Sequence, residues 1–353
     1  MSMIKIGVIG CGSISEVHFQ AYEHDPRATI YAVCDLNEER AAAKAKQFGA
    51  EKVYTSYKEL LADPDIEAVS ICTWNNTHAE IAIAALDAGK HVLCEKPLCK
   101  TVEQALQVEE AVRRSGKVLQ VGFVRRFATN TTLLKQFIDS GDLGEIYYAK
   151  ASFLRRLGNP GGWFADHERS GGGPLIDIGV HIIDVCWYLM GKPKIKSITG
   201  NVYNRLGNRS NVKNLSFYQA ADYAADKNSV EDCANALLRF ENGASLMVDV
   251  SFTLHLKKDE LSVKLFGTKG GAELEPELSL VSEKYDTILN IQPQIDHLSF
   301  DFVHAFRSEI SAFVSCCLGE QETISPVEDG VELMKMLCGI YEAAEQGREV
   351  TFE

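Results

Sequence analysis

The sequence predicts an α/β chain of two domains. Residues 1–122 read as a doubly wound parallel sheet, and residues 123–353 as an α+β domain with a large, open, mostly antiparallel sheet. Three observations carry this. Short apolar runs alternate with helical patterns from Ile4 to Val121; the first run ends in a Gly-x-Gly turn; and beyond Gly122 longer alternating segments follow, two of them joined by a hairpin turn. A length of 353 residues also suits two cores better than one.

Taken in order, Ile4–Ile9 reads as a buried parallel strand, and a helix begins near Ser13. Ile30–Cys34 is the second strand, Glu38–Phe48 a helix and Lys52–Tyr54 a short third strand. Ser56-Tyr57-Lys58-Glu59 has the capping-box pattern of a helix start. Ala68–Cys72 follows as a buried strand, Thr77–Ala88 as a helix ended by Gly89, and His91–Cys94 as the fifth strand. A second capping box, Thr101-Val102-Glu103-Gln104, leads a helix to Arg114, and Val118–Val121 completes six parallel strands. In the second domain a helix over Thr131–Ile138 precedes the strand Ile146–Leu154, then a glycine-rich loop from Gly158 to Gly173, then a long amphipathic helix from Pro174 to about Met190. Ile195–Tyr203, Ala234–Phe240, Ala244–Phe252 and Leu261–Phe266 read as strands, with Glu241-Asn242-Gly243 as a hairpin turn. The polar stretch Gly207–Ser229 is a long excursion expected to order on assembly or ligand binding. Two helices close the chain, the second opened by the Ser325-Pro326-Val327-Glu328 capping box, with Val331, Met334, Leu337 and Tyr341 on one face.

Bulk properties narrow the function classes. A net charge of −13 argues against a nucleic-acid partner, which needs a basic footprint. No segment is apolar for long enough to span a membrane, and Met1-Ser2-Met3-Ile4-Lys5 lacks a signal-peptide pattern, so a cytoplasmic protein is expected. Ten scattered cysteines without a Cys-x-x-Cys pair read as reduced, mostly buried thiols; with nine dispersed histidines they suggest no metal site.

The first helix and its flanks carry the most specific signal. The order is strand, Gly10-Cys11-Gly12-Ser13-Ile14-Ser15, helix, strand, then Asp35, which is the dinucleotide fingerprint in its required context. Gly10 permits the tight turn, and Gly12 lets backbone approach a pyrophosphate. Ser15 stands at the third, small position, and the phosphates are expected at the helix start beside Ser13 and Ile14. Asp35 is placed to accept from both ribose hydroxyls and to repel a 2′-phosphate, which favours NAD over NADP. Two alternatives stay open at this point: Asp35 as a helix cap, a task Asn37 also suits, and Arg40 as a partner for a 2′-phosphate.

Ligands of a doubly wound sheet bind at the carboxyl ends of its strands. Cys72-Thr73-Trp74-Asn75-Asn76-Thr77-His78 follows the fourth strand and Glu95-Lys96-Pro97 the fifth, which puts Lys96 beside the nicotinamide end of the crevice. In the second domain Asp177 and His181 stand four apart on one helix, with Asp184 a turn further on. An imidazole suits the removal of a hydroxyl proton, and an ammonium can polarise the same oxygen.

These residues, in this order, resemble the glucose–fructose oxidoreductase, inositol dehydrogenase and rhizopine-catabolism family, Gfo/Idh/MocA. The resemblance runs through the Gly-x-Gly, the Cys72–His78 loop and Glu95-Lys96-Pro97. It continues through Val121-Gly122-Phe123-Val124-Arg125-Arg126-Phe127, the helix from Gly171 to Asp184 and the closing helical pair. It implies a Rossmann domain, a second domain whose open sheet forms dimer or tetramer interfaces, and an NAD(P)-dependent oxidoreductase acting on a sugar, cyclitol or sugar acid. It implies further that Lys96 positions and polarises the reacting hydroxyl, Asp177 binds substrate and His181 accepts the proton. Thr73, Asn75, His78 and Glu95 match positions that line the dinucleotide, and Trp74 departs from the proline common there. Arg125, Arg155 and Trp163 are expected to border the substrate, with His167 nearby; one arginine of each adjacent pair is expected to face solvent or another subunit. Two rival readings are a sugar sensor that binds dinucleotide without turnover and a glycosidase working through a tightly held NAD.

Overall fold

In the computed structural model, which describes residues 3–224 and 226–352, six parallel strands form the first sheet. They are β1 (Ile4–Ile9), β2 (Ala28–Cys34), β3 (Lys52–Tyr54), β4 (Ala68–Ile71), β5 (His91–Glu95) and β6 (Leu119–Gly122), in the order β3-β2-β1-β4-β5-β6. Strands buried on both faces give the near-continuous apolar runs seen in the sequence. The crossovers are α1 (Ser15–Glu23), α2 (Glu38–Phe48), α3 (Tyr57–Ala62), α4 (Asn75–Asp87) and α5 (Val102–Ser115). Strand order reverses between β1 and β4, so the topological switch point lies there.

Local signals explain several helix ends, at α2 and α5 above all. The Thr101 hydroxyl accepts the Gln104 N–H at 3.2 Å, as a capping box requires, while the Gln104 side chain accepts from Lys100 N–H at 3.1 Å. Ser56 occupies the cap position of α3 without a side-chain bond to the helix. The fourth helix starts at Asn75, two residues ahead of the expected Thr77, with Trp74 at its cap.

By compactness the chain forms one unit of Met1–Phe127 with Phe302–Met334 and another of Ala128–Asp301 with Lys335–Glu353. In the first unit, α9 (Phe302–Cys317) packs on α1. Its Ile310, Phe313 and Val314 join the core around Ile6, Val8 and Phe19. A four-residue 3₁₀ turn, Val124–Phe127, follows β6. Arg126 within it is fully buried: its guanidinium donates to Asp329 and to the Ile324 carbonyl and stacks 4.8 Å from the Phe123 ring centroid. The expectation that one of Arg125 and Arg126 faces solvent or another subunit is therefore corrected, since both are buried. A guanidinium with an ion pair and a carbonyl to bond can be taken out of water. Ser325 is corrected as a cap as well. Its hydroxyl donates to the Val121 carbonyl at 2.8 Å, and its own carbonyl accepts the Val121 N–H at 2.9 Å, so it works as an edge partner of β6.

The second unit is a nine-stranded sheet. Its strands are β7 (Ile146–Leu154), β8 (Ile195–Tyr203), β9 (Cys233–Phe240), β10 (Ser245–Ser251), β11 (Glu260–Gly267), β12 (Gly270–Glu275), β13 (Ser279–Lys284), β14 (Thr287–Ile291) and β15 (Val350–Thr351). The order is β14-β13-β12-β11-β7-β10-β9-β8-β15; β7 and β10 pair in parallel and every other pair is antiparallel. The Glu241–Gly243 hairpin forms as expected, with Gly243 at φ +88°. The helices are α6 (Thr129–Asp139), α7 (His167–Ser170) and α8 (Val180–Leu189), with α10 (Val327–Gln346) running from the first unit into the second at Met334/Lys335.

Two expectations change here. The Gly158–Gly173 loop contains a 3₁₀ turn (Gly162–Ala165) and the short α7. The long amphipathic helix is a π-helical turn over Leu175–Gly179 followed by α8, whose side chains are buried on nearly every side. A helix that packs on the sheet with one flank and under other segments with the rest needs apolar residues all round.

Candidate active site

The nucleotide half is built at the carboxyl ends of β1, β2, β4, β5 and β6. Gly10 has φ +92°, and a Cβ there would lie 2.5 Å from the Cys72 carbonyl oxygen, so only glycine lets the β1 and β4 loops touch. At Gly12 a Cβ would meet nothing within 4 Å, which leaves open space where a pyrophosphate would approach the backbone. Ser13 is exposed and Ile14 half-buried, while Ser15 is fully buried and donates to the Gly12 carbonyl at 2.7 Å. A small hydroxyl residue thus serves the close packing that glycine serves elsewhere.

Asp35 is not a helix cap, because Asn37 caps α2 by accepting the Arg40 N–H at 2.9 Å. The Asp35 carboxylate instead fixes the glycine turn, accepting the Cys11 N–H at 2.8 Å on one oxygen and the Asn37 N–H at 2.8 Å on the other. Arg40 donates to that second oxygen at 3.1 Å and keeps about half its side chain in solvent. Burial, with the Asp35 charge beside it, pushes the Cys11 thiol up to about 12, so it stays protonated at neutral pH.

The loops after β4 and β5 are clamped together by His78. Its ring is buried, with Nδ1 2.7 Å from the Pro97 carbonyl and Nε2 3.1 Å from the Thr73 carbonyl. Burial lowers its pKa against the opposing pull of the two carbonyls; a neutral ring has a single N–H, which suits the shorter contact to Pro97, so His78 ties the two loops through that bond. Thr73 accepts from the Thr77 hydroxyl at 2.8 Å, Asn75 is buried in the first turn of α4, and Trp74 keeps 40% of its surface exposed. Glu95 is buried at the end of β5, where His18 Nε2 lies 2.8 Å from one oxygen and the Lys96 N–H donates to the other at 3.2 Å. Burial opposes its charge, but the His18 hydrogen bond and the nearby Lys96 charge help outweigh it and hold the carboxyl below the usual range. The backbone under Lys96 is therefore anchored to an ionised, buried group, while the Lys96 side chain itself is half-buried. Arg125, 8% exposed, lies in the turn beyond β6.

The second unit holds the remaining candidates. From Gly172 to Met190 every residue is buried except Asp177, His181 and Tyr188, which are half-buried. Asp177 lies inside the π-helical turn and His181 in the first turn of α8, so the two candidate polar groups are accessible in an otherwise buried run. Turns of this kind are frequent at functional sites. Asp184 is fully buried. Arg155, at the end of β7, donates to the Gly158 carbonyl at 3.2 Å and stacks 5.2 Å from the Phe153 ring centroid, while Arg156 faces solvent. Trp163 packs on Phe164 at 3.9 Å between centroids, and its backbone N–H donates to the Asp222 carboxylate at 3.3 Å. His167 is exposed.

The sequence reading missed Glu231 and Asp232, and took Tyr341 only as part of a helix face. Asp232 accepts the N–H groups of Arg205, Leu206 and Gly207 on one oxygen and so closes the root of the polar excursion. Beyond that root, Ala220 N–H donates to the Pro160 carbonyl and Ser229 N–H to the Ala165 carbonyl, which lays the excursion along the Gly158–Gly173 loop. The one available signal was the adjacent acid pair standing directly before a strand.

Comparison with known proteins gives the class. Residues 4–123 match the family model described as an oxidoreductase family with an NAD-binding Rossmann fold, and residues 131–273 match the GFO/IDH/MocA C-terminal domain. The chain is 33% identical over 352 residues to D-glucoside 3-dehydrogenase of Escherichia coli (strain K12), covering 99% of this chain and 97% of the relative. It is 30% identical over 267 residues to myo-inositol 2-dehydrogenase of Thermotoga maritima, covering 76% of this chain and 74% of that protein. A solved levoglucosan dehydrogenase in complex with NADH superposes with a TM-score of 0.86 at 25% identity, over 100% of both chains. The fingerprint, the fold of both units and these matches agree: the chain belongs to the GFO/IDH/MocA family of oxidoreductases and carries its NAD-binding Rossmann fold.

Proposed function

We propose that the protein is an NAD-dependent dehydrogenase acting on a CH–OH group of a sugar, cyclitol or sugar acid. The observation that carries the chemistry is the pair Asp177 and His181, left accessible in a buried segment that otherwise has only Tyr188 half-exposed. The Gly10–Ile14 turn, with its open space at Gly12, and the Asp35 carboxylate fit a dinucleotide. When bound, the nicotinamide supplies the hydride acceptor. Lys96 polarises the reacting hydroxyl, Asp177 holds a neighbouring hydroxyl, and His181 accepts the proton. Thr73, Asn75, His78 and Glu95 shape the cofactor side, the last two by holding the loops rather than by offering free polar atoms. Arg125, Arg155 and Trp163 are assigned to the substrate side.

The substrate class is taken from relatives whose names span glucosides, inositols and an anhydrosugar. The test is incubation with NAD and, separately, methyl glucoside, myo-inositol and levoglucosan while the reduced-nicotinamide absorbance is followed. Growth of that band with at least one of them is expected. Binding of NADH and sugar with no growth would favour a sensor, and sugar release without net NADH a glycosidase.

Asp35 sets the cofactor choice in this reading, because its carboxylate both repels a 2′-phosphate and occupies Arg40. Asp35→Asn is expected to lower the preference for NAD over NADP by about tenfold or more, read as the ratio of the two kcat/KM values. An unchanged ratio would leave Asp35 with only its loop-anchoring task.

Homodimers or homotetramers are proposed through the open face of the nine-stranded sheet. There Tyr148 and Phe266 stack at 5.2 Å, Met247 accepts from the Tyr148 hydroxyl, and Met247 and Phe266 remain exposed. Among the described residues no helix is long and apolar enough to cross a membrane, and the ten cysteines are free thiols, which fits a cytoplasmic setting.

A further inference from the structure

The turn that carries Asp177 has donors that need an acceptor. Gly173 and Leu175 each present an N–H, and Pro174 between them has none. Both are met by one buried side chain: Glu231 Oε2 accepts the Gly173 N–H at 2.8 Å, and Oε1 accepts the Leu175 N–H at 3.1 Å. The Tyr341 hydroxyl, from α10, donates to Oε1 at 2.8 Å. Burial and the adjacent Glu231 charge push the Tyr341 phenol well above its ordinary value, so it remains a donor.

Close approach is built into the backbone. A Cβ on Gly172 would lie 2.1 Å from the Tyr341 hydroxyl, and one on Gly173 2.3 Å from the Glu231 carbonyl oxygen. The glycines before Pro174 thus admit these two residues as well as starting the turn. Glu231 is itself fixed, because its neighbour Asp232 ties three N–H groups at the root of the excursion. Downstream, α8 is held by its own buried apolar side chains. The segment from Gly173 to Gly179, with Asp177 inside it and His181 just beyond, is the part whose conformation a polar partner must set.

We infer that Glu231 is a positioning residue for the reaction: its carboxylate sets the turn that presents Asp177 and His181, and Tyr341 orients the carboxylate. The inference rests on the dehydrogenase reading for its link to turnover. A carboxylate accepts from both amides at once, whereas an amide side chain offers one acceptor oxygen and turns its own N–H groups toward the other donor. Glu231→Gln keeps the shape and loses that match.

Three variants, Glu231→Gln, Glu231→Asp and Tyr341→Phe, are compared with the parent chain by kcat and KM for the sugar, by NADH affinity from fluorescence, and by NMR of ¹³C-labelled histidines. Glu231→Gln is expected to lower kcat about tenfold to a hundredfold, the scale of a small misplacement of reacting groups. NADH affinity stays unchanged, and the His181 ring resonances move while those of His18 and His78 do not. Glu231→Asp recovers part of the rate, and Tyr341→Phe loses less than Glu231→Gln. Parental kcat with unmoved His181 resonances would overturn the inference. So would a loss shared equally by NADH affinity and all histidine signals, which marks a general structural role. If the parent chain oxidises none of the sugars, the dehydrogenase reading fails on its own, and the His181 resonances still decide whether Glu231 positions that ring.

Discussion

His181→Ala is expected to lower turnover by on the order of a hundredfold or more while NAD affinity stays within about twofold. Oxidation of an alcohol cannot finish until the hydroxyl proton has somewhere to go, and a neutral imidazole takes it near neutral pH with little mismatch. Without that group the proton passes to water, a far weaker base. The variant also separates roles, because the dinucleotide turn at Gly10–Ile14 and the Asp35 anchor lie in the first unit and His181 in the second. Stopped-assay kcat and fluorescence titration of NADH check both halves. Unchanged turnover would remove His181 from the chemistry.

Lys96→Met is the second large effect, an expected drop in kcat/KM of about a hundredfold or more, comparable to removing one donor aimed at a developing oxyanion. Methionine keeps much of the stem length and removes the ammonium. The two hydrogen bonds that hold the backbone beneath it, Lys96 N–H to Glu95 and Glu95 to His18, do not use the lysine side chain. A solvated surface lysine would give no change at all, and steady-state kinetics with the sugar found in the substrate panel distinguishes the two.

Much of the first unit was legible because its signals are local. Buried strands give apolar runs, Gly10 and Gly12 announce their turn, and Thr101 caps α5 through a residue three positions on. What was not legible depends on partners distant in the chain. Arg126 looks like a surface arginine until Asp329 and the Ile324 carbonyl are brought to it. Ser325 fits a capping pattern, yet the Val121 carbonyl claims its hydroxyl. The segment after Pro174 has every mark of an ordinary helix start; its π-helical turn goes with Glu231 and Tyr341, and no window of neighbouring residues contains either. Strands β12 to β14 escaped notice because β12 begins with two glycines, and β13 and β14 are largely exposed and mix apolar with polar residues. Of the candidate site, residue types and order were readable, while the supports under Lys96 and under Asp177 were not.

Lys96 and His181 are proposed to serve one chemical step on one hydroxyl. The most direct measurement is kcat/KM of the double variant, Lys96→Met with His181→Ala, beside each single variant. Residues that act as a unit are strongly non-additive, so the double variant is expected within about threefold of the slower single one. Losses that multiply, each substitution costing its full factor in the presence of the other, would contradict the claim.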